Sequence, residues 1–232
     1  NYDQAIPAFK VVLAEEQNEF SEESLSKLSQ IYLYKENFND ALPLLDRLEL
    51  EANSPENITY AQSNLMKGYF ETKAFDFAIV YGKKILLKDK LDANLRNDAK
   101  LIIARASFKT EDLSTAKEFY NEVEKNTTGE VKAEALFYNA YFKNKNEDFE
   151  ESNKVVQKLI AKYSNYKYWG VKSYVIMAKN YYGLNDAYQA TYVLENIIKN
   201  FGEFEDIIEE AKTGLNKIKI NEAKTNNSVT PK

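Results

Sequence analysis

The sequence predicts an all-α fold, a right-handed α-solenoid of helical hairpins with a period of 36–38 residues and a C-terminal capping helix. Three observations lead there. A small residue recurs at Ala5, Ala41, Ala78, Ala116, Ser152 and Ala190, at intervals of 36, 37, 38, 36 and 38 residues, and a fixed period of about 20–50 residues marks a solenoid. Each small residue stands in the same local pattern of two helical stripes around a polar turn. Breakers are scarce, with 4 Pro and 7 Gly in 232 residues, and no apolar run approaches the ~18 residues that span a membrane.

The chain opens on Tyr2, Ala5, Phe9 and Val12, the pattern of a second helix whose first helix is missing, so it is read as the C-terminal piece of a longer protein. The next unit shows the whole hairpin. Leu25, Leu28, Ser29 and Tyr32 have helical spacing, Asn37 to Asp40 is a turn with capping residues, and Ala41, Leu45 and Leu48 form the second helix. The last hairpin repeats this with Tyr174, Met177, Ala178 and Tyr181, then Gly183 to Asp186, then Ala190, Leu194 and Ile197. Small residues in the first helix (Ser29, Ala104, Ala140, Ala178) face those in the second and let the two axes approach closely. Pro7 and Pro43 each lie two residues after the repeat alanine, which places them in the first turn of a helix capped near Asn39, where a missing amide costs nothing.

The expected organisation is a repeat array over 1–204, a capping helix over 205–222 and a flexible polar tail over 223–232. The cap opens with Glu205, Asp206, Glu209 and Glu210 and closes with Lys212, Lys217 and Lys219, in the order that suits the helix dipole. Ile208, Ala211, Leu215 and Ile218 supply one apolar stripe to cover the last hairpin.

These hairpins resemble the tetratricopeptide repeat (TPR), in which an alanine follows an aromatic residue of the first helix by nine positions. Tyr32 to Ala41, Tyr69 to Ala78 and Tyr181 to Ala190 keep that step. Ser107 replaces the aromatic residue in the third unit and Lys143 in the fourth, and the period exceeds the family's usual length of about 34. Tyr168-Trp169-Gly170, with Asp186 to Thr191, Leu194-Glu195 and Ile197-Ile198, further resembles the C-terminal end of long exported bacterial TPR proteins. That resemblance implies a binding or assembly role in a periplasmic or envelope-associated setting.

Chemistry is narrowed by what the chain lacks. With no Cys and no His, it has no thiol nucleophile, imidazole base or disulfide, and nearly every zinc or haem arrangement is excluded. No catalytic, cofactor-binding or metal site is assigned, and the chain is read as non-enzymatic and cofactor-free. The adjacent carboxylates Glu15-Glu16, Glu22-Glu23 and Glu150-Glu151 point to different helix faces and are solvated. The Asn- and Asp-bearing turns at 37–40 and 144–148 lack the alternating ligands of a calcium loop. A net charge of −5 argues against nucleic acid, which requires a basic surface.

The TPR resemblance implies that first helices line a concave groove. Its register selects Gln30 and Tyr34, then Lys67 and Phe70, then Arg105, Phe108 and Lys109, then Tyr141, then Lys179 and Tyr182, with Leu33, Glu71 and Lys145 beside them. Basic residues flanked by aromatics suit an acidic, extended protein or peptide partner. The lysine site of the chaperone-tail clamp found in some TPR domains is occupied by Ser26, Ser63 and Leu101, so that clamp is not present. Tyr163, Tyr166, Tyr168, Trp169 and Tyr174 either anchor a long connection or offer flat faces to a glycan. Two readings stand at this level: a protein-interaction scaffold using the groove, and a structural or self-associating stretch of a longer solenoid without a ligand of its own.

Overall fold

A computed structural model describes the backbone of residues 2–229 and the side chains of residues 4–224. Among the described residues there are twelve helices and no strand. They are α1 (Tyr2–Ala14), α2 (Ser21–Tyr34), α3 (Phe38–Glu51), α4 (Pro55–Glu71), α5 (Phe75–Leu86), α6 (Ala93–Lys109), α7 (Leu113–Asn126), α8 (Gly129–Lys145), α9 (Phe149–Lys162), α10 (Lys167–Gly183), α11 (Ala187–Asn200) and α12 (Glu205–Val229). A leading helix, five hairpins and a terminal helix account for all twelve. The chain divides into two compact units within α7, between Phe119 and Tyr120.

Each unit shows solenoid packing. In the first, α2 packs on α1 and α3, α4 on α3 and α5, and α6 on α5, while first helices also touch one another, α2 with α4 and α4 with α6. In the second, α8 packs on α9 and α10, α10 on α9 and α11, and α12 covers both α10 and α11.

Five of the six recurring small residues sit buried where the period requires, while Ala5 on α1 is half-buried. Ala41, Ala78, Ala116, Ser152 and Ala190 are fully buried, as are Ser29, Ala104, Ala140 and Ala178 in the first helices. Leucine, isoleucine and valine fill the space around each crossing: Leu25, Leu45 and Leu65 in the first unit, Leu136, Val156 and Leu159 in the second, all at 0% exposure. Two glycines extend the close approach. A Cβ on Gly82 would fall 2.7 Å from Ile103 Cγ1, and one on Gly183 would fall 2.4 Å from the Phe149 ring.

The turn inside every hairpin passes through one residue of positive φ. Glu36, Lys73, Glu111, Glu147 and Asn185 all adopt positive φ, between 54° and 63°, and reverse the chain just past the first helix. In four of them the next amide reaches back to close the helix end, as in Asn37 N to Tyr32 O at 2.9 Å and Asp186 N to Tyr181 O at 2.9 Å. The second helix then starts one residue later.

Three expectations, two of them about helix boundaries, need correction. The N-cap of α3 is Asn37, whose side chain accepts from Asp40 N at 3.3 Å, so Pro43 falls in the second turn, not the first. Its absent N–H leaves the Asn39 carbonyl without its usual donor, which exposure to water tolerates. The proline that does occupy a helix start is Pro55, after the Ser54 cap. The buried stripe of α12 is led by Ile207, at 0% exposure, with Ala211 and Ile218, while Ile208 is only half-buried. The helical backbone of α12 continues to Val229, past 222; residues 230–232 of the expected tail lie outside the described residues.

Candidate functional site

Six of the ten register residues fall in two hollows, one in each unit. In the first unit, Lys67 and Phe70 on α4 and Arg105 on α6 line a depression of about 240 Å³ together with Glu71, Asp98 and Leu101. Lys67 Nζ lies 2.8 Å from Asp98, both side chains being about half exposed, and the Phe70 ring leans on Phe75 at 5.6 Å. Gln30 and Tyr34 on α2 are exposed outside this depression, Tyr34 at 74%. Phe108 is half-buried and Lys109 exposed at the end of α6, also outside it.

In the second unit, Tyr141 on α8 and Lys179 and Tyr182 on α10 line a hollow of about 400 Å³. Its floor is apolar, from Phe149, Val175, Leu194 and Ile218, and its wall carries Lys145 and Lys217. Lys179 Nζ contacts Glu210 of α12 at 2.6 Å, and Lys145 Nζ stands 5.6 Å from the centre of the Tyr141 ring.

Sequence reasoning named Lys67, Arg105 and Lys179, but neither the carboxylates beside the two lysines nor Lys217, which also lines the second hollow. Asp98 follows Lys67 by 31 residues, and Glu210 follows Lys179 by the same 31. A carboxylate at that offset is a signal the sequence carries, because it places an acid on the next first helix beside the lysine. Gly214 of α12, which also lines the second hollow, was missed as well.

Several acidic residues outside the hollows hold helices together. Glu49 of α3 accepts from Tyr81 Oη at 2.9 Å, Gln62 Nε2 at 2.8 Å and Lys84 Nζ at 2.8 Å. Burial opposes its charge, but bonds from Lys84, Gln62 and Tyr81 outweigh it and hold the carboxyl below its usual range. Burial and the Glu49 carboxylate push the Tyr81 phenol far up, so Tyr81 stays a neutral donor. Glu124 plays the matching part in the second unit, accepting from Lys158 at 2.9 Å and from Asn139, and its carboxyl too is lowered against the cost of burial. Glu22 accepts from Asn53 N at 3.0 Å and Ser54 N at 3.2 Å, while Glu151 pairs with Lys154 at 2.5 Å. Neither faces its sequence neighbour as a catalytic pair would. Among the described residues no group of acidic side chains is arranged to hold a metal ion.

The aromatic cluster at the start of α10 packs on its own chain. Trp169 lies 5.5 Å from Phe137 and 6.2 Å from Tyr138 between ring centres. Tyr168 meets Phe204 at 5.7 Å and donates to Asp206 at 2.8 Å. Lys172 lies 5.0 Å from the centre of the Tyr168 ring and donates to its hydroxyl at 2.8 Å. These contacts tie α8, α10 and α12 together and leave the rings half-buried, which favours anchoring over a free stacking face.

Helical hairpins in this arrangement define a tetratricopeptide-repeat fold. No family model and no curated protein matches the chain. Among solved structures it is similar to MamA protein, at 16% identity and a TM-score of 0.62, over 82% of this chain and 96% of that one. It is also similar to a tetratricopeptide repeat protein from Parabacteroides merdae, at 14% identity and a TM-score of 0.55, over 94% of this chain and 86% of that one. A third similar structure, the nearly identical TPR-like repeats of a kinesin light chain from Podospora anserina, has 16% identity and a TM-score of 0.55 over 78% and 95% of the two chains. At these identities the likeness defines the fold; the side chains of this chain carry any reading of its function. No described helix is long and apolar enough to cross a membrane.

Proposed function

We propose that the chain is a non-catalytic scaffold that holds an acidic peptide or partner subunit against the exposed face of its first helices. One observation carries this reading. In both units the same register positions combine cations with aromatic rings around an open hollow, Lys67, Phe70 and Arg105 beside the carboxylates of Glu71 and Asp98 in one, Lys179, Tyr141 and Tyr182 in the other. Aromatic rings give contact area at small entropic cost, and cations choose the sign of the partner. The ion pairs with Asp98 and Glu210 pre-position the two lysines, and being exposed they exchange for a partner's carboxylate at little cost.

The test is capture of partners from lysate of the source cell, read by mass spectrometry at low and high salt. Reversing Lys67, Arg105 and Lys179 to Glu should remove the salt-sensitive partners while helix content is kept, because exposed charges are screened over about 8 Å at physiological ionic strength. Asp98→Asn with Glu210→Gln should act in the opposite sense and strengthen capture by freeing the lysines. Unchanged partner lists for both variants would remove this reading.

A further inference from the structure

Gly214 is the tenth residue of the 25-residue helix α12, an interior position where only proline is less favourable to a helix than glycine. At Gly82 and Gly183 the missing Cβ is demanded by a neighbour at 2.7 Å or closer. Gly214 has no such neighbour. A Cβ there would meet only Leu194, at 3.4 Å and 3.9 Å, which is ordinary contact. Its φ is not among the positive values of the chain, so backbone conformation does not demand glycine either. What a side chain at 214 would do is fill the hollow of about 400 Å³ between α8, α9, α10, α11 and α12.

That hollow has a definite chemistry. Phe149, Val175, Leu194 and Ile218 make an apolar floor, and the wall holds Lys145, Lys179 and Lys217 with no carboxylate among the described lining residues. Glu210 reaches Lys179 from outside the lining and neutralises one cation of the three. The volume lies in the range of about 300–1,000 Å³ that takes a small ligand or a large side chain. An apolar floor beneath surplus positive charge fits an apolar group with carboxylates beside it.

We infer that this hollow is a subsite for a bulky apolar side chain flanked by acidic residues, and that Gly214 keeps it open. The inference rests on the scaffold reading and narrows it to one place and one ligand chemistry. An aromatic or leucine side chain of the partner enters over Ile218 and Leu194, and the flanking carboxylates reach Lys217 and Lys145. Gly214 thus acts by leaving space, at the expense of helix propensity.

Two tripeptides probe it, N-acetyl-Asp-Phe-Asp-amide and N-acetyl-Lys-Phe-Lys-amide, titrated into the full chain at millimolar concentration and followed by 15N–1H NMR. The acidic peptide should shift the amides of Lys145, Gly183, Gly214 and Lys217 saturably, and the basic one should bind roughly tenfold more weakly. Gly214→Leu should abolish those shifts while raising the melting temperature by about 2–4 °C through recovered helix propensity. Lys217→Glu, at an exposed position, should weaken the acidic peptide and favour the basic one without change in stability. Equal binding of both peptides, no saturable shift, or undiminished binding to Gly214→Leu would overturn the subsite. If the acidic peptide fails while the triple reversal of Lys67, Arg105 and Lys179 still removes partners, the subsite falls and the scaffold stands. If the peptide binds while that reversal changes nothing, the subsite stands and the wider reading falls.

Discussion

Asn180 Nδ2 donates to Ser152 Oγ across 2.8 Å, and both side chains are fully buried. The same amide donates to Asn153 Oδ1 at 2.8 Å and accepts from Asn144 Nδ2 at 2.7 Å, while Ser152 Oγ donates to the Ala140 carbonyl at 2.8 Å. Ser152 stands where four other hairpins have alanine. Its hydroxyl is tolerated there because Asn180 and Ala140 satisfy it from α10 and α8. Asn180→Ala would leave Asn144, Asn153 and Ser152 short of partners and should destabilise the chain by about 2–3 kcal/mol. In a double-mutant cycle Asn180→Ala with Ser152→Ala should cost clearly less than the sum of the two, measured by urea unfolding.

The hairpin crossing makes a second prediction. Ala78 has no exposed surface, and α4 and α5 cross against it with Gly82 one turn further along. Ala78→Leu should overpack the crossing and cost about 1–3 kcal/mol. An unchanged midpoint of unfolding would mean that the helices can part there without loss.

What the sequence made legible, and what it hid, follows from the range of each interaction. The fold could be read because close crossing demands a small residue at a fixed point, and Ala41, Ala78, Ala116 and Ala190 report that demand locally. Lys67, Arg105 and Lys179 could be named for the same reason, as positions in a repeat, whereas Lys217 of α12 holds no such position. Their neutralisation could not be read from Lys67 or Lys179 alone, because Asp98 and Glu210 lie a hairpin away. The Asn180 network was hidden likewise, its members being spread over 140–180. The turns were masked by chemistry: positive φ is carried by Glu36, Lys73, Glu111 and Glu147, residues that give no glycine signal. Pro43 misled the placement of α3 because an exposed second-turn proline looks, in sequence, like a first-turn one.

Those turns yield a third prediction. Lys73 holds φ at 62° with an exposed side chain, and a left-handed conformation costs a non-glycine residue about 1–2 kcal/mol. Glycine removes that cost but adds entropy to the unfolded chain, so Lys73→Gly should stabilise by about 0.5–1 kcal/mol. Lys73→Val should destabilise instead. Thermal unfolding of the two variants against the parent checks both signs.

Acid sensitivity supplies a fourth. Asp112 caps α7, accepting from Thr115 N at 3.1 Å and Ser114 Oγ at 2.7 Å. Hydrogen bonds from Thr115, then Ser114, hold its carboxyl down to about 2, against an ordinary 3.8. A pKa depressed on folding contributes stability that is complete above the unfolded value and is lost as pH falls through the folded one. The advantage of Asp112 over Asp112→Asn should therefore be close to full above pH 4, decline as pH falls through 2 and be gone below it, as read from unfolding midpoints across that window. An advantage undiminished at pH 2 would show that the cap works through shape and not charge.

The terminal helix provides the fifth. Ile207, Ala211 and Ile218 of α12 are buried against a cluster that includes Leu194, Ile197 and Val175, and Tyr168 and Lys179 bond to Asp206 and Glu210 on the same helix. In a solenoid each hairpin is stabilised chiefly by its neighbours, so removing the last cover exposes a continuous apolar face. Ending the chain at residue 204 should lower the melting temperature and drive self-association, seen as higher mass in sedimentation velocity. It should also erase the hollow at Gly214, since Gly214, Lys217 and Ile218 all leave with α12. A truncated chain that remains monomeric with the parent's melting temperature would show that the apolar face of α11 is stable in water, and α12 would then be an appendage to the fold and not its cap.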